Sequence, residues 1–563
     1  MLKKNLLILL ILFFPKTQNI LFCQYQNVLI SSQYFPHEVS IMINPKNINQ
    51  VVAGSCVYYF GSDTSISGYY YSTNGGLNWN GNVLHSTLAR PSGDPVIIVD
   101  TAGSFYFIQI ANYAIVPWWD RQLVMKSTNG GINWPIATTY GKNGTKVQDK
   151  PWGCVDWSNS VWRNNIYITW TEFSNILDPV PSDSTIILFI KSTNGGLNWS
   201  QPLRISKRKG DARDSSNTVE GAVPCTGPNG EIYVSWSGPV TLYSNNYAIF
   251  FNKSTNGGNT WLDSEIVATS QPGGWTFIIP GTARCNGLPV TCCDISNGPH
   301  RGTIYINFSD QRNGVNNTDI WLTKSTNGGQ NWSQVKRVNN DVTNKHQFLT
   351  WMTIDQSTGY LYFIFYDQRN TSIMNTDVYM ARSTDGGETF QNVKINTNTI
   401  QLYSNYFLGD YNNISAVNGH IRPIWTGTSF TIYTAIVDTF TIGIQPISSE
   451  IPEKFVLYQN YPNPFNPVTK IKFSIPQDVR RKTQDGNLPL GSLSAQVEGV
   501  GGMMVSLKIF DITGREIQTL VNEELQPGTY ETTFDGSNLP SGIYFYQLRT
   551  DNFIESKKLL LLK

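Results

Sequence analysis

An all-β chain, with a ring of repeated strand units followed by a small β-sandwich, is the architecture that three features of the sequence predict. The first is an octapeptide. STNGGLNW occupies Ser72–Trp79 and returns unchanged at Ser192–Trp199. Variants stand at Ser127–Trp134, Ser254–Trp261, Ser325–Trp332 and Ser383–Phe390, so successive copies begin 55 to 71 residues apart. The second is the alternating strand that runs into every copy, as in IFFNKSTNGG or IWLTKSTNGG. The third is composition: 13% aromatic and only 14% charged residues, many turn formers, and no long helical periodicity. Repeats of this period built from strands read as blades of a β-propeller.

The elements follow in order. MLKKNLLILLILFF puts Lys3 and Lys4 before a short apolar run, as in a secretory signal peptide, assigned to residues 1–24. Cys23 follows the bulky Phe22, which argues against a lipid anchor there. No later segment is long and apolar enough to span a membrane. Residues 25–447 form the propeller. Its first strands read VSIMINP, PVIIVD, PWGCVD, GAVPCTG, PVTCCD and TWMTID, each followed by a second strand such as EIYVSW or TIYINFSD. A seventh unit, YNNISAVNG–HIRPIWTG–TIYTAIVD, lacks the octapeptide. Seven blades are expected, the last closed by the N-terminal VLISSQYF. Six blades are the alternative.

The octapeptide reads as a turn that clasps each hairpin. Ser72 and Asn74 can bond the backbone beyond them, Gly76 accepts positive φ, and Trp79 can bury a large apolar face. Trp134, Trp199, Trp261, Trp332 and Phe390 repeat that aromatic role, and Asp385 stands where the other copies carry Asn. A structural role outweighs six ligand sites.

The pattern S-x-D/N-x-G-x-x-W/F resembles the Asp-box, or BNR repeat, of sialidase-like propellers, over about residues 26–447. The resemblance implies a sialidase, whose arginine triad includes an R-I-P motif ahead of the first Asp-box. No arginine precedes Arg90 here, so that motif is absent and no catalytic residue is carried over.

In a propeller, the loops entering the first strands and those leaving the second strands share one face. That face collects Asp94, Asp149, Glu220, Arg284, His346 and Asp410 at the channel mouth. Trp118, Trp119, Asp310, Arg312, Asp367 and Arg369 join them from the second set of loops. Carboxylates bond hydroxyls, tryptophans cover sugar C–H surfaces, and arginine grips an acidic substituent, so a glycan or glycoprotein is the expected ligand. Local ion pairs, Asp310 with Arg312 and Asp367 with Arg369, are the plainer reading of those four. Two functions from different classes stay open: a surface glycan binder and a divergent exo-glycosidase.

Other chemistries lack their signatures. Lysine plus arginine (41) nearly cancel aspartate plus glutamate (40), so no nucleic-acid partner is expected. There is no GxSxG, HExxH or phosphate loop, and no Cys/His spacing for zinc. No cofactor and no metal are expected. The cysteines read as buried thiols, with a bridge from Cys285 to Cys292 or Cys293 as the minority alternative.

Residues 448–563 change character. NYPNPFNPVTKIKFSIP leads into short strands joined by TG, PG and DG turns, interrupted by a polar insert, Gln477–Met504. The opening, the DITGRE hairpin, the SGIYFY strand and the basic-apolar tail resemble the type A C-terminal sorting domain of the type IX secretion system. The resemblance implies passage through the periplasm to the cell surface or medium, with the secretion machinery as partner.

Overall fold

The computed structural model describes residues 25–58, 65–113, 119–177, 180, 183–403, 406–438, 445–448, 452–476, 503–525, 527–536 and 539–563. The expected signal peptide, Cys23, Trp118 and nearly all of the polar insert lie outside the described residues. Every regular element described is a strand.

Seven antiparallel sheets of four or five strands follow one another over residues 26–438, with a two-stranded ribbon, Thr276–Phe277 beside Cys285–Asn286, between the fourth and the fifth. Their innermost strands are His37–Asn44, Arg90–Val99, Val147–Val155, Glu220–Thr226, Val290–Cys293, Gln347–Asp355 and Asn413–Val417. Each touches the next, and the last touches the first, so the sheets close into a propeller around a central channel. The N-terminal strand Gln26–Ser31 completes the last sheet beside Thr431–Asp438, with Gln26 opposite Ile436. Asn27 fixes that seam to the sixth sheet, donating to the Ile395 carbonyl at 2.7 Å and accepting from the Thr397 amide at 2.7 Å.

The octapeptides form one repeated hydrogen-bonded turn. In the first copy Ser72 Oγ accepts the Gly76 amide at 2.8 Å and donates to Asn74 Oδ1 at 2.9 Å, which in turn accepts the Asn78 amide at 3.0 Å. One side-chain oxygen suffices for that last bond, which explains why Asn serves where Asp385 stands in the sixth copy. The carboxylate of Asp385 uses its second oxygen on the Thr389 hydroxyl. The turns also tie sheet to sheet. The lysine before one clasp donates to the first glycine carbonyl of the next: Lys191 to Gly257 at 2.7 Å, Lys253 to Gly328 at 2.6 Å, Lys324 to Gly386 at 2.7 Å. Arg422 does the same across the seam, donating to Gly75 O at 2.6 Å. The second glycine is required by contact as well as by its φ of 81° at Gly258, where a Cβ would lie 2.5 Å from Phe189. Of the clasp aromatics only Trp134 is buried; Trp79, Trp199, Trp261, Trp332 and Phe390 are half-buried. Trp261 and Trp332 lie on Phe189 and Phe251 of the preceding sheet, at 4.9 and 5.0 Å.

The C-terminal domain is a sandwich of two four-stranded sheets. Phe465, Phe473, Ile509 and Tyr546 form its core, and Leu559 and Leu561 of the final strand are fully buried there. The leucine-rich tail therefore completes this core, leaving Leu562 half exposed. The strand Gln445–Ser448 straddles the expected boundary at 447/448 and pairs with Gly528–Asp535, inside the sandwich. None of the six described cysteines is in a disulfide, so Cys285 is bridged to neither Cys292 nor Cys293.

Candidate functional site

The channel mouth is shaped by one backbone irregularity used repeatedly. Near the start of five inner strands a residue sits in the left-handed region: Glu38 (φ 49°), Asp94 (48°), Lys150 (46°), Gly221 (75°) and Leu349 (49°). At each of these points the ladder to the second strand slips register. A bulge of this kind bends the strand and re-aims its side chains, and left-handed non-glycine residues cost energy that the surrounding structure must hold. At Gly221 the backbone also passes too close to Leu288 for a side chain, since a Cβ would lie 2.7 Å from it.

Residues from five different sheets meet there. Asp410, from the loop entering the seventh, accepts Lys150 Nζ at 2.5 Å and the Arg284 guanidinium. The Asn286 amide donates to the Asp410 carbonyl at 2.8 Å. Lys150 Nζ also stands 3.9 Å from Glu220, whose two carboxyl oxygens are fully buried and have no hydrogen-bond partner. The Lys150 amide donates to Asp149 Oδ1 at 2.9 Å and to Asp94 Oδ2 at 3.2 Å, and the Asp94 and Asp149 carboxyls hydrogen-bond one another. Arg284 is half exposed, lies over the Phe407 ring at 5.0 Å, and reaches Asp214 at 3.7 Å.

The charges are unequal, and their proton affinities diverge accordingly. Burial, opposed by Lys150 and Arg284, leaves Asp410 at about 2. Burial and then the neighbouring Glu38 push Asp94 up to about 6. Burial and then Asp94 push Asp149 to about 7. Glu38 is raised to about 7 by burial and then Asp410, and Glu220 is held well above the usual carboxylate range by burial and then Asp214. Lys150 loses by burial, but Asp410, Asp149 and Asp94 more than offset it and keep the ammonium charged. One carboxylate is thus held ionised by two cations, while its neighbours retain protons towards neutral pH.

Below this layer aromatic rings narrow the channel. Trp152 stacks on Trp351 at 4.1 Å with Tyr411 at 5.4 Å. A cavity of about 40 Å³ remains between them and Lys150, Asn286 and Asp410, room for a few waters.

Asp94, Asp149, Glu220, Arg284 and Asp410 are therefore brought together. The other expected residues are not part of the cluster. Arg312 grips Asp310 through two nitrogens, its Nε at 2.9 Å, and lies over Trp321. Arg369 likewise holds Asp367 at 2.8 Å and donates to Asn340 and Asn392. Both are local pairs that fix their own loops. His346 is buried against Thr318 at 3.0 Å, and Trp119 packs with Val147, Phe173 and Ala212. Sequence reasoning missed Asp214 and Phe407, which sit in irregular loops. It also missed Trp152, Trp351 and Tyr411, although aligning PWGCVD with TWMTID on the strand start would have placed the two tryptophans at one level.

With this geometry in view, likenesses to other proteins can be placed. Residues 459–562 match the family described as secretion system C-terminal sorting domain. That domain marks proteins exported by type IX secretion, and this protein is exported by that route to the cell surface or extracellular space. No curated protein matches the chain. Similar solved structures include a Hadza microbial sialidase at 13% identity, covering 66% of this chain and 73% of that one, with a TM-score of 0.39. A polysaccharide lyase, an ulvan lyase of family PL25, aligns at 12% identity over 73% and 96% of the two chains, TM-score 0.42. A Penicillium chrysogenum α-L-arabinanase aligns at 13% identity over 64% and 98%, TM-score 0.39.

Proposed function

We propose that the propeller of this exported protein is a glycan-recognition module and that its ligand sits on the carboxyl-rich channel mouth. Arg284 carries the reading. It is half exposed, laid on an aromatic face, and pinned by Asp410 and Asp214 with guanidinium surface left over. A fixed guanidinium beside an aromatic plane suits a sugar bearing an acidic group: the cation bonds the anion and the ring covers C–H surface. Tyr58 and Phe35 extend the rim, both nearly half exposed, with Tyr58 stacked on His37 at 5.0 Å.

A glycan array probed with the full secreted chain tests this. Acidic glycans should be retained, and Arg284→Ala should weaken them at least about tenfold, the loss of one charged hydrogen bond. Unchanged affinity in that variant would remove the ligand from this mouth.

Hydrolysis is the second reading, favoured by the Asp94–Asp149 pair, which shares a proton near neutral pH as an acid/base pair does. Two features rank it second. Carboxyls in hydrogen-bond contact are closer than the roughly 5 Å or more that glycosidases keep. The cavity between Lys150, Asp410 and the channel tryptophans has room for a few waters, not for a sugar ring. Turnover of a sialoside by the wild-type protein, abolished in Asp149→Asn, would reverse the order.

A further inference from the structure

We propose that His37, Glu38 and Cys56 form a binding site for one divalent transition-metal ion of the Zn²⁺ class, on the first sheet at the rim of the channel. Each offers one ligand atom, and the three atoms lie within 4.8 Å of one another. Ligands of a tetrahedral zinc ion sit roughly 3.3–3.8 Å apart, given bond lengths of about 2.0–2.3 Å, so small side-chain rotations close the site. A ring nitrogen, a carboxylate and a thiolate together favour a borderline ion over calcium or magnesium, which take oxygen.

The fold builds this constellation from residues with no metal-binding spacing. His37 faces Cys56 across the ladder of the first two strands. Along an ordinary strand Glu38 would point to the other face. The bulge with Glu38 at φ 49° brings its carboxylate to the side that His37 and Cys56 share. Gly409 presses on this corner, where a Cβ would lie 2.6 Å from the Glu38 nitrogen, and so helps hold the strained conformation.

Two further observations point to a ligand. His37 Nδ1 is bonded to the Phe35 carbonyl at 3.0 Å, so Nδ1 carries the proton and Nε2 is the nitrogen left to coordinate. That arrangement, with the ring also stacked on Tyr58, is how proteins orient a metal-binding imidazole. Glu38 is only 6% exposed, and among the described residues its carboxylate has no hydrogen-bond or ion-pair partner. A carboxyl buried without such a partner either keeps its proton or gives it up to a cation, and a metal ion bound beside His37 and Cys56 would take that proton's place. Three protein ligands leave a fourth position for water or for a hydroxyl of a bound molecule. The inference stands apart from the glycan reading, because metal uptake is measured without any glycan.

The test uses the full chain, stripped with a chelator and titrated with Co²⁺, then with Zn²⁺ in competition. One ion per chain should bind, with a thiolate-to-cobalt charge-transfer band that Zn²⁺ removes. Cys56→Ser should abolish the band, and His37→Gln and Glu38→Gln should each weaken Zn²⁺ at least about tenfold. Should Cys56→Ser fail to fold, Glu38→Gln decides, and unchanged affinity there overturns the site. Absence of uptake by the wild type overturns it too. So does a band that survives Cys56→Ser and vanishes in Cys225→Ser, because that would place the ion in the lower channel, a cavity of about 170 Å³ lined by Cys154, Cys225 and Cys292.

Discussion

Replacing Asp410 by asparagine keeps the shape of the mouth and removes the one carboxylate that two cations hold ionised. In the wild type its side chain is 4% exposed, 2.5 Å from Lys150 Nζ and bonded to Arg284. Removing one member of a buried ion pair costs about 3–5 kcal/mol, because the other charge is left without a partner. Here the cost is smaller for two reasons. Arg284 is half exposed, and water replaces much of what it loses. Lys150 already stands 3.9 Å from Glu220, whose unpartnered oxygens can accept it. The depression of Asp410 from 3.8 to about 2 gives a similar figure, about 2.5 kcal/mol at 1.36 kcal/mol per unit. We expect a loss of about 2–3 kcal/mol. The sign is that of a depressed carboxyl: the contribution is present above pH 3.8 and disappears as pH falls through about 2, so Asp410→Asn should lack that acid limb. Urea unfolding followed by tryptophan fluorescence is the assay. Every tryptophan lies between Trp79 and Trp425, so the signal reports the propeller and is silent for the sandwich. Adding Lys150→Met to the variant should restore part of the loss. A shift below about 0.5 kcal/mol, the scatter of ordinary surface changes, would refute Asp410 as the counterion of this cluster.

Two further expectations concern the clasps and the proton balance. Trp134→Ala should cost about 3–5 kcal/mol in the same assay, since Trp134 is buried against Phe107, and Trp199→Ala should cost less because that ring is half-buried; equal losses would contradict the packing described. Asp149 and Asp94 are raised in the folded state from 3.8 to about 7 and about 6, so their contribution is full below pH 3.8 and is lost as pH rises through those values. The urea midpoint should fall over that window, and Asp149→Asn should flatten the fall; a wild-type midpoint that rises instead would mean that the two carboxyls are not held protonated by the fold.

The six clasps and the strands that feed them were legible in the sequence. Their bonds span a few residues, as from Ser72 to Gly76, so eight letters carry the whole turn. Asp310 with Arg312 and Asp367 with Arg369 were legible as pairs for the same reason, each joining residues two apart. The terminal sandwich was readable because its strands alternate and its turns carry glycine, and its sorting role through the resemblance of its NYPNPFNP, DITGRE and SGIYFY motifs. The composition of the mouth could be guessed from what precedes each first strand, yet its wiring could not. Lys150 meets Asp410 across 260 residues, and Arg284 meets it across 126, distances only ring closure removes. Nor does any spacing announce that Glu38 leaves its strand's alternation to stand beside His37 and Cys56. Local letters determined the turns, the strands and the export domain, because those depend on neighbours along the chain. The tertiary structure decided which charges meet, which carboxyls keep their protons and where bulges turn a side chain, because each depends on the field and packing of several sheets at once.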